Sequence, residues 1–464
     1  MIRSSIASSV ALILSCSGAA HAQNWSNAGG NAGRNGLTSE LGPDAATVLW
    51  TGGRPSSIAW QPVIDGGTVY AVRQTGFPPE PNSDESPVVA MDLDTGAELW
   101  FANIPFENGD WTTWVAGARD GLVFACRGGN GSTSSARVYA LDGATGAVVW
   151  TSEDEVSAGA YDGVVFAPDG DLLVGDFRNV TCIDFDTGDT VWQAARTCSV
   201  SGTCGGASSG DAFYIADATG GGNVIRRLDL ATGALDYQGP VMSGFTVQNT
   251  PMVGPDGRIF MSRTQNNPSV DFFYAFEDTG SAINQLWSTE AAWTTTSEFC
   301  VGPDGSVYMI GPAQTIQRRH PATGALLNES VSVAANFLSP RMAADRDGRV
   351  YFSNGSFNDG RFYAFNADLS PRWDVPVTNI NIGAPAIGRD GTLVVCGVGT
   401  DVRAYRTERC IADFNGDGTV NTQDVLAFLN AWTSGDPSAD INGDGRVNTQ
   451  DVLAFLNLWN AGCG

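Results

Sequence analysis

The chain has 464 residues, with 25 basic against 50 acidic side chains and a formal charge of −25. That balance argues against nucleic acid and anionic membrane surfaces as partners and favours cations. Gly is abundant, at 57 residues, and only 16% of the chain is charged, which suits a turn-rich β protein better than a helical one.

Residues 1–22 read as a secretory signal peptide. Arg3 supplies the charge, residues 6–15 the short apolar core, and Ala20-His21-Ala22 an A-x-A cleavage signal before Gln23. Lipid attachment at Cys16 is the rival reading, but Ile13-Leu14-Ser15 makes a poor lipobox. No other stretch is apolar for long enough to span a bilayer. The protein is therefore expected to be secreted or held at the cell surface. Beyond the signal lie Cys126, Cys182, Cys198, Cys204, Cys300, Cys396, Cys410 and Cys463, an even set that export allows to pair. Cys198 with Cys204 and Cys410 with Cys463 are the expected disulfides. Cys126, Cys182, Cys300 and Cys396 lie in strand-like runs, where a buried thiol is one reading, and their pairing stays open.

Residues 23–36 are rich in Gly and Asn, with Trp25 and an Arg34-Asn35-Gly36 turn. Residues 47–50, Thr-Val-Leu-Trp, form a short strand. After it a two-part unit repeats. The first part is a turn followed by a strand, seen at Asp65-Gly66, Asp120-Gly121, Asp169-Gly170, Asp256-Gly257, Asp304-Gly305, Asp347-Gly348 and Asp390-Gly391, with Gly210-Asp211 a weaker eighth. Asp-Gly ahead of β-forming residues is a strong hairpin signal. The second part is a strand, a Thr-Gly turn and a second strand. It is clearest in Tyr139-Ala-Leu-Asp142-Gly-Ala-Thr145-Gly146-Ala-Val-Val-Trp150 and recurs around Gly96, Gly188, Gly233, Gly280 and Gly324, and in degenerate form at residues 366–373. Asp142 can accept bonds from turn amides, and Gly146 supplies a positive φ. The closing positions read Trp100, Trp150, Trp192, Tyr237, Trp287, Leu327 and Trp373, where large apolar groups suit packing between sheets.

A period of about 40–50 residues with roughly four strands is the spacing of propeller blades. Seven units carry both parts. The eighth starts at Ala384, reaches Tyr405 and has no closing Trp strand, while residues 47–50 are a closing strand without a blade. That N-terminal strand is expected to complete the last sheet and remove an open edge. The fold class read here is an all-β eight-bladed propeller of four-stranded antiparallel blades over residues 23–408, followed by a small helical domain over residues 409–464.

The repeated Asp-x-x-Thr-Gly-x-x-x-Trp phrase, with the opening Trp25…Gly30…Arg34-Asn35-Gly36, resembles the PQQ-like (pyrroloquinoline-quinone-like) repeat family of quinoprotein dehydrogenases and BamB-type assembly lipoproteins. The resemblance covers most of residues 25–406 and is specific for fold, not activity. Quinoprotein dehydrogenases set a vicinal Cys-Cys disulfide against their cofactor, and this chain has no adjacent Cys pair. Their catalytic Asp and calcium ligands have no clear counterpart. Beyond the signal the one His is His320, in a turn where other blades carry Asp, so a His-based triad or multi-His metal site lacks residues. No catalytic or cofactor-binding residue is assigned, and bound pyrroloquinoline quinone is disfavoured.

The composition shifts at Cys410. Residues 413–424 read Asp413-Phe-Asn415-Gly-Asp417-Gly-Thr419-Val-Asn421-Thr422-Gln423-Asp424, and residues 440–451 read Asp440-Ile-Asn442-Gly-Asp444-Gly-Arg446-Val-Asn448-Thr449-Gln450-Asp451. This is the EF-hand loop spacing. Oxygen ligands fall at positions 1, 3 and 5 (Asp413, Asn415, Asp417; Asp440, Asn442, Asp444), the carbonyl of Thr419 or Arg446 is the seventh, Asn421 or Asn448 acts through water, and Asp424 or Asp451 closes the loop. Two calcium ions are expected, and they should supply much of the folding free energy of so small a domain. Val425, Phe428, Leu429 and Trp432 fall on one helical face, as do Val452, Phe455, Leu456 and Trp459, so the two faces are expected to form a core.

Loop then helix, twice, with no incoming helix, resembles a type I dockerin. The ending Asn460-Ala-Gly-Cys463-Gly464 with Cys410 resembles the GC-type variant, in which a disulfide clasps the two ends. The resemblance implies that Thr422, Gln423, Thr449 and Gln450, identical in both copies, help contact a cohesin-like partner from either copy. Helix capping by Asn421 or Thr422 is a second role open to these positions. The leading expectation is an exported, non-enzymatic propeller for binding or display, with an unidentified propeller ligand, attached through a calcium-dependent dockerin to a cohesin-like partner or the cell surface. The alternative is a quinoprotein-like oxidoreductase or carbohydrate-active propeller targeted by the same domain. An envelope assembly factor is a third reading, which the dockerin disfavours.

Overall fold

Two turn signals per repeat, set between β-branched and aromatic runs, fold each repeat into one four-stranded antiparallel sheet. The computed structural model describes residues 25–52, 61–73, 87–105, 110–129, 135–157, 163–197, 205–220, 222–242, 250–266, 269–292, 299–333, 342–354, 360–377, 384–398, 401–407, 410–415, 419–442 and 446–462. Residues 1–22, read as a signal peptide, and Cys198, Cys204, Asp417, Asp444 and Cys463 lie outside them. The chain forms two units, residues 1–406 and 407–464. Unit one holds eight four-stranded sheets. They span residues 63–102, 110–157, 164–195, 206–238, 252–291, 299–332, 343–377 and 386–405, the last joined by the strand Val48–Gly52.

The Asp of each Thr-Gly turn works as a cap. Asp142 Oδ1 accepts hydrogen bonds from the Ala144 N–H at 3.1 Å, the Thr145 N–H at 2.8 Å and the Thr145 hydroxyl at 2.7 Å. The Thr145 hydroxyl, followed by the turn amides, holds this carboxyl below the usual range. Asp92 and Asp184 repeat the arrangement with Thr95 and Thr187. His320 stands in for the Asp in the sixth blade, where its Nδ1 accepts from the Ala322 N–H at 3.2 Å.

The closing aromatic of one blade reaches the turn of the next. Trp100 Nε1 donates to Gly143 O at 2.9 Å, Trp150 to Phe185 O at 3.0 Å, Trp192 to Leu230 O at 3.0 Å and Trp287 to Pro321 O at 2.8 Å. The ring also lies against the Gly of that turn: a Cβ at Gly146 would sit 2.6 Å from the Trp100 ring. Gly146 is thus required twice, for its φ of 74° and for this close approach. In the fourth blade Tyr237 replaces the indole and donates to Asp278 at 2.6 Å. The sixth blade corrects the sequence reading. Asn328, not Leu327, pairs with Arg318 at the closing position, and Leu327 is 44% exposed. Counting from the turn glycine places Asn328 there; the apolar character of Leu327 misdirected the assignment. That seam is bridged instead by Tyr308, which donates to Gly348 O at 3.1 Å, and Arg318, which donates to Ala367 O at 3.2 Å.

The ring closes as expected. Val48–Gly52 pairs antiparallel with Asp401–Tyr405, with Val48 opposite Tyr405 and Gly52 opposite Val402. Trp50 then docks on the first blade, donating to Leu93 O at 2.8 Å.

Residues 25–36 do more than make a turn. Their carbonyls accept from inner-strand amides all round the ring: Trp25 from Ile64, Ser26 from Ala118, Ala32 from Ser208, Gly33 from Val253, Asn35 from Val301 and Gly36 from Ala344. Arg34, at φ 51° and 1% exposed, donates to Gly206 O at 2.6 Å, Gly163 O at 3.0 Å and Ala28 O at 3.0 Å. Burial lowers its guanidinium pKa to about 9. One short segment therefore ties seven blades together, by backbone bonds to six and by Arg34 to the third.

Candidate functional site: the C-terminal loop–helix pair

Each half of unit two starts its helix with the same capping box. Asn421 accepts from the Gln423 N–H at 2.8 Å while Asp424 accepts from the Asn421 N–H at 2.8 Å, opening α1 (Thr422–Ser434). Asn448 and Asp451 do the same for α2 (Thr449–Ala461). The cap is thus Asn421 and not Thr422, which is the first helical residue and is exposed.

The Asp at the twelfth loop position also reaches back to the loop's start. Asp424 Oδ1 accepts from the Asn415 N–H at 3.1 Å, and Asp451 Oδ1 accepts from the N–H groups of Ile441 at 3.0 Å and Asn442 at 3.2 Å. Both carboxylates are fully buried. The Asn448 amide, ahead of opposing burial and the loop amides, holds Asp451 below the usual carboxylate range. At Asp424 burial pushes upward, but bonds from Asn421 and Asn415 outweigh it. Asp413, Asn415, Thr419, Asp440, Asn442 and Arg446 are the other described members of the two loops. Among the described residues no group of three His, Cys, Asp or Glu side chains is placed to hold a metal, and the central Asp417 and Asp444 fall outside them.

The core is an aromatic stack. Phe428 and Phe455 lie 4.2 Å apart at 11°, with Phe414 edge-on to both. Val425, Trp432, Val452 and Trp459 pack around it, as the helical spacing predicts. Leu429 and Leu456 do not: they are 36% and 41% exposed. Ala439, Ile441 and Val447, contributed by the connecting segment and second loop, fill the space instead. The sequence reading also missed a reciprocal tie. Trp432 Nε1 donates to Asn448 O at 2.7 Å and Trp459 Nε1 to Asn421 O at 2.9 Å, so each helix holds the other's cap. The repeated Trp was its only sequence signal. Thr422, Gln423, Thr449 and Gln450 are all exposed at the two helix starts.

In the ring, buried polar side chains serve the joints between blades. Arg127 donates to Pro105 O at 3.1 Å and to Thr113 Oγ1 at 2.6 Å, Asp217 accepts from the Thr197 N–H at 2.7 Å, and Asn354 donates to Val333 O at 2.8 Å. Cys126, Cys182, Cys300 and Cys396 are free, buried thiols in four different blades. Burial pushes the Cys182 and Cys396 thiols up to about 12 and those of Cys126 and Cys300 higher still.

The fold and module define a propeller of PQQ-like repeats carrying a dockerin. The chain belongs to the family described as outer membrane protein assembly factor BamB, whose model matches residues 84–329. Residues 411–458 match the dockerin type I domain. The fold is similar to that of BamB from Moraxella catarrhalis, at 15% identity and a TM-score of 0.53, covering 78% of this chain and 99% of that one. It is also similar to the quinohemoprotein alcohol dehydrogenase from Comamonas testosteroni, at 13% identity and a TM-score of 0.55, covering 84% of this chain and 82% of that one. No curated protein sequence matches the chain. Among the described residues no helix is long and apolar enough to cross a membrane.

Proposed function

We propose that this is an exported propeller that displays a binding surface and is attached by its dockerin to a cohesin-like partner or the cell surface. The observation that carries the reading is the duplicated loop–helix unit, in which exposed Thr422-Gln423 and Thr449-Gln450 occupy equivalent places at the starts of α1 and α2. Either copy can present the same pair. The donor set suits calcium: Asp413, Asn415, Asp417, the Thr419 carbonyl and Asp424 in one loop, and Asp440, Asn442, Asp444, the Arg446 carbonyl and Asp451 in the other, offer only oxygen. Asn421 and Asn448 complete each set through water. Calcium supplies the positive charge that lets the loop carboxylates lie together, while the capping boxes orient the helix starts for the partner. In this reading a Cys410–Cys463 bond clasps the ends of the module. Cys198 and Cys204 form the second proposed bridge. The ring's own role is binding without chemistry, and its buried charged groups, spent on joints between blades, support that.

The test is a pull-down from the native secretome with the full chain, in calcium and in EDTA. A partner retained in calcium, lost in EDTA, kept by Thr422→Ala/Gln423→Ala alone and lost when all four partner residues become Ala is the expected result. Retention of that partner in EDTA sinks the reading. For the ring, dye reduction with alcohols and sugars after adding pyrroloquinoline quinone and calcium should match the cofactor-free control; turnover well above it would favour the oxidoreductase reading.

A further inference from the structure

In seven blades the two outer strands are joined covalently by a turn. In the eighth they are not. Asp401–Tyr405 ends where the chain leaves for unit two, and Val48–Gly52 arrives from the N-terminal side. Because Val48 lies opposite Tyr405, a pull on residue 407 would part the two strands from their shared end, one pair at a time. An antiparallel pair opened this way resists poorly, since its bonds break in sequence and not together.

Arg406 sits at that end and reaches three places. Its N–H donates to Thr47 O at 3.2 Å, across the break. Its Nε donates to Thr392 Oγ1 at 2.6 Å, on the segment leading into the next strand inward. One terminal nitrogen donates to Asp94 Oδ1 at 2.5 Å, in the turn of the first blade. Arg389 holds the other oxygen of Asp94 and lies 3.6 Å from Asp390. Burial pushes the Asp94 carboxyl upward, but the bonds and charges of Arg406 and Arg389 outweigh it and hold it below the usual range. A two-Arg fork on one carboxylate is among the stronger polar contacts a partly exposed site can make.

We propose that Arg406, Asp94 and Arg389 form a tension clamp, which passes a pull on the dockerin into the first blade before the closing strands can part. The proposal rests on the attachment reading for its purpose. The clamp itself needs no partner, so the experiment can fail or succeed apart from that reading.

The full mature chain, in calcium, is held at constant force between a C-terminal tag and a thiol handle introduced by Glu290→Cys, an exposed position on the outer strand Ile283–Ala291 of the fifth blade. The readout is the lifetime before the large extension that marks opening of the ring. Arg406→Ala and Asp94→Asn should each shorten it roughly three- to tenfold, the range for losing one or two partly exposed charge-assisted bonds. Arg403→Ala is the control. Arg403 lies on the same strand and donates to Thr51 Oγ1 at 3.2 Å, but it is no part of the Arg406–Asp94–Arg389 fork, and its loss should leave the lifetime unchanged. Far-ultraviolet circular dichroism at zero force checks that each variant is folded. If Asp94→Asn is folded and its lifetime equals the parent's, the clamp is refuted. Equal shortening by Arg403→Ala refutes it too, because strand pairing alone would then set the lifetime.

Discussion

The ring and the loop–helix pair are both built by repetition, yet they hold together by different means. In the ring the indoles of Trp50, Trp100, Trp150, Trp192 and Trp287 are pinned to the next blade's turn, and residues 25–36 tie seven blades to one segment. Among the described residues its apolar core is spread over six clusters. In the loop–helix pair one small core around Phe414, Phe428 and Phe455, two capping boxes and the reciprocal bonds of Trp432 and Trp459 carry the packing. Many copies spread the fold's support round a ring; two copies concentrate it in one small core, which under the proposed function leans on bound calcium.

The sharpest way to break this comparison is to remove cations. EDTA added to the full chain should abolish the helical circular-dichroism signal of residues 422–461 while the thermal transition of the ring stays in place. A ring transition that falls together with the helices would show that the two regions share their stability. Next in size is Arg34→Met, which keeps the bulk but strands the carbonyls of Gly206, Gly163 and Ala28. It should destabilise the ring by roughly 3 kcal/mol or more in urea titration, with no change in the helices. Gly146→Ala, which forces a Cβ into the Trp100 ring at a positive φ, should cost about 1–3 kcal/mol by the same measurement.

The smallest effect is one of pH. The folded-state pKa values of Asp92, Asp142 and Asp184 are depressed by Thr hydroxyl bonds. Their stabilisation is therefore complete above the unfolded value of about 4 and is lost as pH falls through the lower folded values. Asp345, raised by burial, works in the opposite sense. Urea midpoints of the ring measured between about pH 6 and 3 should fall modestly below about pH 4. The shift should shrink when Thr145→Val removes the hydroxyl that holds Asp142.

Much of both regions was legible before any coordinates. Turn chemistry is local, so Asp142, Thr145 and Gly146 announced their hairpin, and the missing eighth closing strand announced residues 47–50 as its replacement, which the structure places at Val48–Gly52. A helix cap at Asn421 or Thr422 was legible too, but only the structure chose Asn421 and closed the box with Asp424. What failed was whatever depends on register or on distant neighbours. Leu327 displaced Asn328 because apolar character was weighed above the count from Gly324. Leu429 and Leu456 were placed in a core that Ala439, Ile441 and Val447 fill from outside the helices.

The sequence by itself determined the repeats, their turns, the strand that closes the ring and the two loops, because each rests on side chains within a few residues of one another. Only the tertiary structure decided that residues 25–36 bind the blades from within, that Arg406 clamps the seam to Asp94, and that Trp432 and Trp459 hold each other's caps. These bonds join residues far apart in the chain, and no spacing along one strand or helix encodes which carbonyl a buried donor will meet.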